Sequence, residues 1–152
     1  MMKIVFLFLI VFIGFVANAQ LPITSIQKID QQMQLQPKYI VILLSTDWCT
    51  YCHVQKNKVN ARVAVSNNPT FYYVEIDAEK NQEIVFNKQM YTFDSKTKTH
   101  TLAQALQNYP KQMVYPYWIV LNEKYQIIYR YPGFLKPKQV ESLLLNLNTK
   151  RP

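Results

Sequence analysis

The sequence predicts an α/β chain in which a mixed β-sheet is flanked by helices. Three observations carry this. Residues 39–44 are an apolar, β-branched run about the length of a buried strand, and they give way to residues at helical spacing. A second aromatic and β-branched run, 71–76, follows with only that helix between, which implies a parallel pair joined by a right-handed crossover. The chain then closes on strand, turn, strand and an amphipathic helix, so antiparallel pairing joins the parallel pair.

The elements follow in order. Met1-Met2-Lys3 is a short positive start, residues 4–16 are nearly unbroken apolar, and Ala17-Asn18-Ala19 is a small-x-small cleavage site. This is the pattern of a secretory signal peptide cut before Gln20. The run covers 13 residues, against roughly 20 for a helix that crosses a bilayer, and no cysteine follows it for a lipid anchor. Residues 1–19 are therefore expected to be a signal peptide, and 20–152 one domain that is periplasmic or secreted with no membrane anchor after cleavage. Thr24 or Ser25 can cap a helix to about Leu35, with Ile26, Ile29 and Met33 on one face. Pro37 ends it.

After the first strand, Cys52, Gln55, Lys56, Val59 and Val63 mark a helix to about Val65, and Asn67-Asn68-Pro69 is a turn. Beyond the second strand, residues 84–86 and 90–93 flank Asn87-Lys88-Gln89 as a small hairpin, and 94–99 read as a polar loop. Leu102, Ala103, Ala105 and Leu106 mark a short helix, capped by Thr99 or Thr101, that stops before Pro110. Strands at 117–121 and 126–131 enclose the turn Asn122-Glu123-Lys124. Gly133, the only glycine after residue 19, marks a positive φ or close backbone packing. The closing helix runs over 137–147, with Val140, Leu143, Leu144 and Leu147 toward the core. No repeat, linker or second domain is evident.

Composition excludes several classes. The full chain carries a formal charge of +8, one less without Lys3, but its lysines are spread singly and form no block for nucleic acid. Both cysteines lie in one Cys-x-x-Cys, unlike the wider and more numerous cysteines of a disulfide-stapled domain. A bridge between them closes a tiny loop, which points to redox use rather than stability. Zinc would need two further ligands, and the only histidines are His53 and His100. His53, adjacent to Cys52, is badly placed to share a tetrahedron, and His100 reads as a loop or helix-start residue. Cys49 to His53 also matches the haem-attachment pattern C-x-x-C-H, but the strand and Trp48 before it fit a β–α redox site instead. No metal or cofactor is expected.

The chemistry centres on Trp48-Cys49-Thr50-Tyr51-Cys52-His53. At a strand-to-helix junction Cys49 meets unpaired N–H groups and the positive end of the helix dipole, which stabilise its thiolate. Cys52, three residues on, is close enough on the same turn to form a disulfide with it.

With these residues the chain resembles the thioredoxin-like superfamily, whose active site is Trp-Cys-x-x-Cys at such a junction. The resemblance covers roughly residues 35–147, with 82–100 as an insertion, and implies a three-layer sandwich. Val114-Tyr115-Pro116-Tyr117 falls where the family has its cis-proline loop. The resemblance implies that Cys49, at the exposed helix start, is the attacking thiolate and that the more buried Cys52 resolves the mixed disulfide. It implies docking of substrate proteins on Trp48, Thr50, Tyr51 and the Tyr115-Pro116 main chain. For Trp48 a place in the core is the alternative. His53 either stabilises a thiolate when charged or is a solvated helix residue.

The implied partners are protein thiols or disulfides and a membrane or soluble redox partner. With no dimerisation module evident, a monomer is expected. The chain departs from the family at Leu43, where thioredoxins bury an aspartate six positions before the first cysteine, and at about Tyr73, where they carry a lysine. Thr50-Tyr51 stands in place of Gly-Pro. Proton transfer from Cys52 would run through water or another group; Glu75 lies on the neighbouring strand, its direction left open. The rival functions are a binding module with a static disulfide and a peroxide-reducing enzyme, whose Thr-x-x-Cys arrangement depends on other loop residues not found here.

Overall fold

Strand β1 (Tyr39–Ser45) is covered on both faces of its sheet, which is why its sequence shows no polar alternation. The computed structural model describes residues 22–62, 69–108 and 113–149. In it β1 runs parallel to β2 (Phe71–Asp77), with Leu43 opposite Glu75 and Ser45 opposite Asp77. On its other side it runs antiparallel to the strand Tyr117–Leu121, which pairs in turn with Ile127–Pro132. The result is a four-stranded mixed sheet with β1 and Tyr117–Leu121 inside.

Period-two alternation then sorts the side chains into two cores. Ile40, Ile42 and Leu44 face α1 (Ile29–Leu35) through Ile29 and Met33, and α3 (Thr101–Gln107) through Leu102 and Leu106. Val41 and Leu43 face the opposite way, toward Val59 of α2 (Thr50–Arg62) and Val140, Leu144 and Leu147 of α4 (Pro137–Thr149). Helix, sheet and helix make the expected three-layer α/β sandwich. Leu143 is only half-buried, at the margin of the apolar stripe of α4.

The insertion holds more order than its sequence suggests. β3 (Ile84–Phe86) and β4 (Gln89–Tyr91) pair with Phe86 opposite Gln89, so Asn87 and Lys88 alone make the turn, at φ 50° and 63°. The expected loop at 94–99 is the turn of a second hairpin, β5 (Phe93–Asp94) with β6 (Thr99–His100). Asp94 accepts the Lys96 N–H at 2.9 Å, an Asx turn that closes it. The two strands of the large sheet that follow are therefore β7 (Tyr117–Leu121) and β8 (Ile127–Pro132).

Helix starts also differ from expectation. A 3-10 turn, Ile26–Lys28, leads into α1, and Ser25 at its head gives no side-chain cap because its hydroxyl donates to Gln27 Oε1. Neither Thr99 nor Thr101 caps α3. The Thr99 hydroxyl donates to the Thr97 carbonyl and that of Thr101 to the Thr92 carbonyl, while His100 Nδ1 accepts the Leu102 N–H at 3.2 Å. Gly133 sits at φ 107° with open space where a Cβ would stand, so backbone conformation and not crowding calls for glycine. The signal peptide at 1–19, the end of α2 at 63–65, most of the turn at 67–69 and Pro110 lie outside the described residues. No helix among those described is long and apolar enough to cross a membrane.

Candidate active site

β1 delivers the chain to the site at its own C-terminal end, where the Ser45 carbonyl accepts the Ala78 N–H at 2.8 Å. The Cys49 N–H then donates to the Thr46 carbonyl at 3.2 Å, and the Cys49 carbonyl accepts the His53 N–H at 3.2 Å. Cys49 therefore caps α2 rather than lying within its first turn. Cys49 and Cys52 form a disulfide with Cα atoms 5.2 Å apart. The Cys52 N–H is shared between the Cys49 carbonyl at 3.0 Å and Cys49 Sγ at 3.1 Å. On reduction that N–H and the helix dipole favour a thiolate at Cys49.

The expected exposed Cys49 needs correction: it is 5% exposed, against 0% for Cys52. The bond to Cys52 and its N–H turn the sulfur inward, onto the helix. Of the two, Cys49 is the less completely buried.

Aromatic residues flank the disulfide. Trp48 is 68% exposed, which rules out a core role. Its Nε1–H donates to Glu79 Oε2 at 2.9 Å, and its ring packs edge-on to Tyr115 at 6.3 Å. On the other side Tyr51, 69% exposed, leans on Phe134 at 6.2 Å. Thr50 is exposed between them.

The Tyr115–Pro116 peptide is cis, and the Pro116 carbonyl accepts the Gly133 N–H at 2.8 Å, tying together the loops on either side of the disulfide. The Tyr115 phenol is pushed up to about 12, chiefly by burial. The facing Gln107 amide works against this, and the carboxylates of Glu79 and Asp77 add to it.

A sequence model described as a thioredoxin-like domain matches residues 26–148. The chain belongs to this thioredoxin-like family. Among solved structures it is similar to a mutant thioredoxin from Halobacterium salinarum NRC-1, at 16% identity and TM-score 0.57 over 90% of this chain and 98% of that one. An oxidoreductase named DsbH matches at 17% and 0.55 over 90% of each chain. A thioredoxin-like protein from Clostridium perfringens matches at 13% and 0.55, over 93% of this chain and 94% of that one. At such identities the likeness speaks for the fold. No curated protein matches the sequence. A tryptophan-adjacent Cys-x-x-Cys disulfide in a thioredoxin-like fold makes this chain a thiol–disulfide oxidoreductase.

The departures from the thioredoxin pattern acquire a geometry here. Leu43 is fully buried beneath α2, and Glu75 stands opposite it on β2, on the same face of the sheet. Tyr73 donates its hydroxyl to Glu75 Oε1 at 3.0 Å, and Lys56, four residues beyond Cys52 on α2, meets Glu75 Oε2 at 3.6 Å. Burial, reinforced by Glu75, pushes the Tyr73 phenol well above its usual range. The polar groups on this face are thus Glu75 and Lys56, where the family pattern pointed to 43 and 73.

His53 reaches back over the helix start, with Nε2 2.9 Å from the Asp47 carbonyl. Nε2 must carry the proton there, so the ring braces the loop before Trp48. His100 is the cap of α3. Among the described residues no three His, Cys, Asp or Glu side chains converge to hold a metal. Sequence reasoning passed over Glu79, Gln107 and Phe134; Glu79 and Phe134 meet Trp48 and Tyr51 from distant parts of the chain, and Gln107 bonds the Val114 N–H seven residues on, which no local pattern announces.

Proposed function

We propose that the chain is an exported oxidoreductase that exchanges the Cys49–Cys52 disulfide with the thiols or disulfides of partner proteins. The observation that carries this reading is a Cys49–Cys52 disulfide whose less buried residue, Cys49, is flanked in the chain by the exposed Trp48 and Tyr51. A partner thiolate attacks Cys49 Sγ, and Cys52 leaves as the thiolate. A second partner thiolate then attacks the partner's own sulfur in the mixed disulfide and releases Cys49. The partner ends with a disulfide, and the pair holds the two electrons. In reverse, the Cys49 thiolate attacks a partner disulfide and Cys52 resolves the intermediate. Trp48, Thr50, Tyr51 and Tyr115-Pro116 hold the partner segment, residues 1–19 direct export, and a membrane or soluble protein resets the pair.

The low exposure of both sulfurs favours a second reading, a binding module with a static disulfide. The reduction potential, measured by equilibration with glutathione or dithiothreitol buffers, decides between them. A value near about −270 mV marks a reductant and one near about −120 mV an oxidant. A pair that stays oxidised well below about −300 mV and fails to exchange with protein disulfides overturns the catalytic reading.

A further inference from the structure

Two loops flank the disulfide, and a buried glutamine holds each. Gln107, in the last turn of α3, is buried, and its Oε1 accepts the Val114 N–H at 3.2 Å. Gln55, one turn beyond Cys52 on α2, is fully buried, and its Oε1 accepts the Leu135 N–H at 2.8 Å. Among the described residues neither Nε2 meets hydrogen-bond geometry, although that of Gln107 faces the Tyr115 hydroxyl. Burying a primary amide with its donors unused is unfavourable, and methionine or leucine would fill similar space without that penalty. Through its Oε1 each glutamine holds one loop, and the Gln107 amide also faces Tyr115 on the loop it holds.

Each of those loops carries half of an aromatic pair. Tyr115, next to Val114, packs on Trp48; Phe134, next to Leu135, packs on Tyr51. The other halves, Trp48 and Tyr51, belong to the cysteine segment itself. The Gly133 N–H bond to the Pro116 carbonyl links the two loops at 2.8 Å. The two glutamines therefore fix where Tyr115 and Phe134 stand relative to the disulfide, and neither acts on the sulfurs through any bond of its own.

Resting on the oxidoreductase reading, we propose that Gln55 and Gln107 are positioning residues that set the spacing of two aromatic jaws around Cys49. Trp48 with Tyr115 forms one jaw, and Tyr51 with Phe134 the other. The segment they take is an extended, cysteine-bearing stretch of a partner protein with apolar side chains beside its cysteine. A small dithiol needs no jaws.

The test uses the mature protein with insulin as the protein disulfide and dithiothreitol as the small dithiol. Gln55→Met and Gln107→Met each raise KM for insulin about tenfold, the equivalent of about one lost hydrogen bond. Turnover at saturation, exchange with dithiothreitol and the reduction potential stay near their original values. Gln→Glu variants keep an acceptor oxygen and restore KM. Gln→Asn variants retract the acceptor by one methylene; they raise KM as well and stand in for any Met variant that fails to fold. An unchanged KM in folded Met or Asn variants overturns the proposal. So does a loss of dithiothreitol exchange in step with KM, since that places the effect on the sulfurs. If the unaltered protein exchanges with dithiothreitol but not with insulin or any protein disulfide, the oxidoreductase reading falls first and this inference with it.

Discussion

At the scale of single residues, the two bonds of His100 select one neutral tautomer. Nε2 lies 3.0 Å from the Gln82 carbonyl, which can only accept, so the proton sits on Nε2 and Nδ1 is free to accept the Leu102 N–H. Burial holds the imidazole below its usual value, against a smaller opposing pull from the Gln82 bond. Between that lowered value and the unfolded value of about 6.5, the unfolded chain binds a proton that the folded chain refuses. Stability therefore rises with pH across this window and is lost as pH falls through it. Urea midpoints should drop on acidification below about pH 6.5, and His100→Asn, which keeps a capping acceptor without the titration, should flatten that limb. A wild-type midpoint independent of pH there would refute the assignment. The sequence pointed to threonine caps because hydroxyls are the commoner choice; a histidine can cap only when held neutral, and its burial depends on the whole insertion. Trp48 was open between core and surface for a similar reason, since indole is stable in either place and only tertiary packing decides.

At the scale of elements, the inserted hairpin is held by one carboxylate. Asp30 on α1 accepts the N–H groups of Asn87 and Lys88 at 2.9 and 3.0 Å and the Tyr125 hydroxyl at 2.8 Å. Phe86 packs edge-on to Tyr125 at 5.3 Å beside it. A two-stranded hairpin is marginal alone, so Asp30→Ala should cost about 2 kcal/mol, within the range for bonds to a charged group. Hydrogen exchange over residues 84–91 should quicken while the cores on either side of the large sheet keep their protection. Uniform loss of protection would show that the hairpin has no separate anchor. The strands and helices of the main sandwich were legible because their apolar residues repeat at the period of the element. The hairpin β5–β6 was not, since residues 94–99 are polar and its order comes from turn bonds and from α3. The direction of Glu75 was equally illegible: it follows from the pairing of Leu43 with Glu75, a contact between strands 32 residues apart.

At the scale of the molecule, the redox site and the fold draw on different sources of stability. The order of elements around one Trp-Cys-x-x-Cys was enough to name the architecture, because the sandwich is organised by β1 and the cysteines sit just beyond its end. The disulfide closes a loop with a sequence separation of only 3, so chain entropy assigns it about 2 kcal/mol. Two apolar cores on opposite faces of the sheet carry the rest. A Cys49→Ser, Cys52→Ser double variant should therefore still unfold cooperatively, at a cost of about 2 kcal/mol. The oxidised and reduced native forms differ by whatever the fold does to the bond. Each 30 mV between the native pair and the same Cys-x-x-Cys in the unfolded chain corresponds to about 1.4 kcal/mol of that difference. Urea titrations of the two forms thus give the potential by a route independent of glutathione equilibration. If the reduced form is the more stable by about 4 kcal/mol, the native pair lies about 90 mV above the unfolded one and acts as the stronger oxidant. If the oxidised form is the more stable, the pair is displaced toward reductants by the corresponding amount. The two routes should agree in sign and size; a disagreement would mean that reduction changes the fold beyond the cysteine turn.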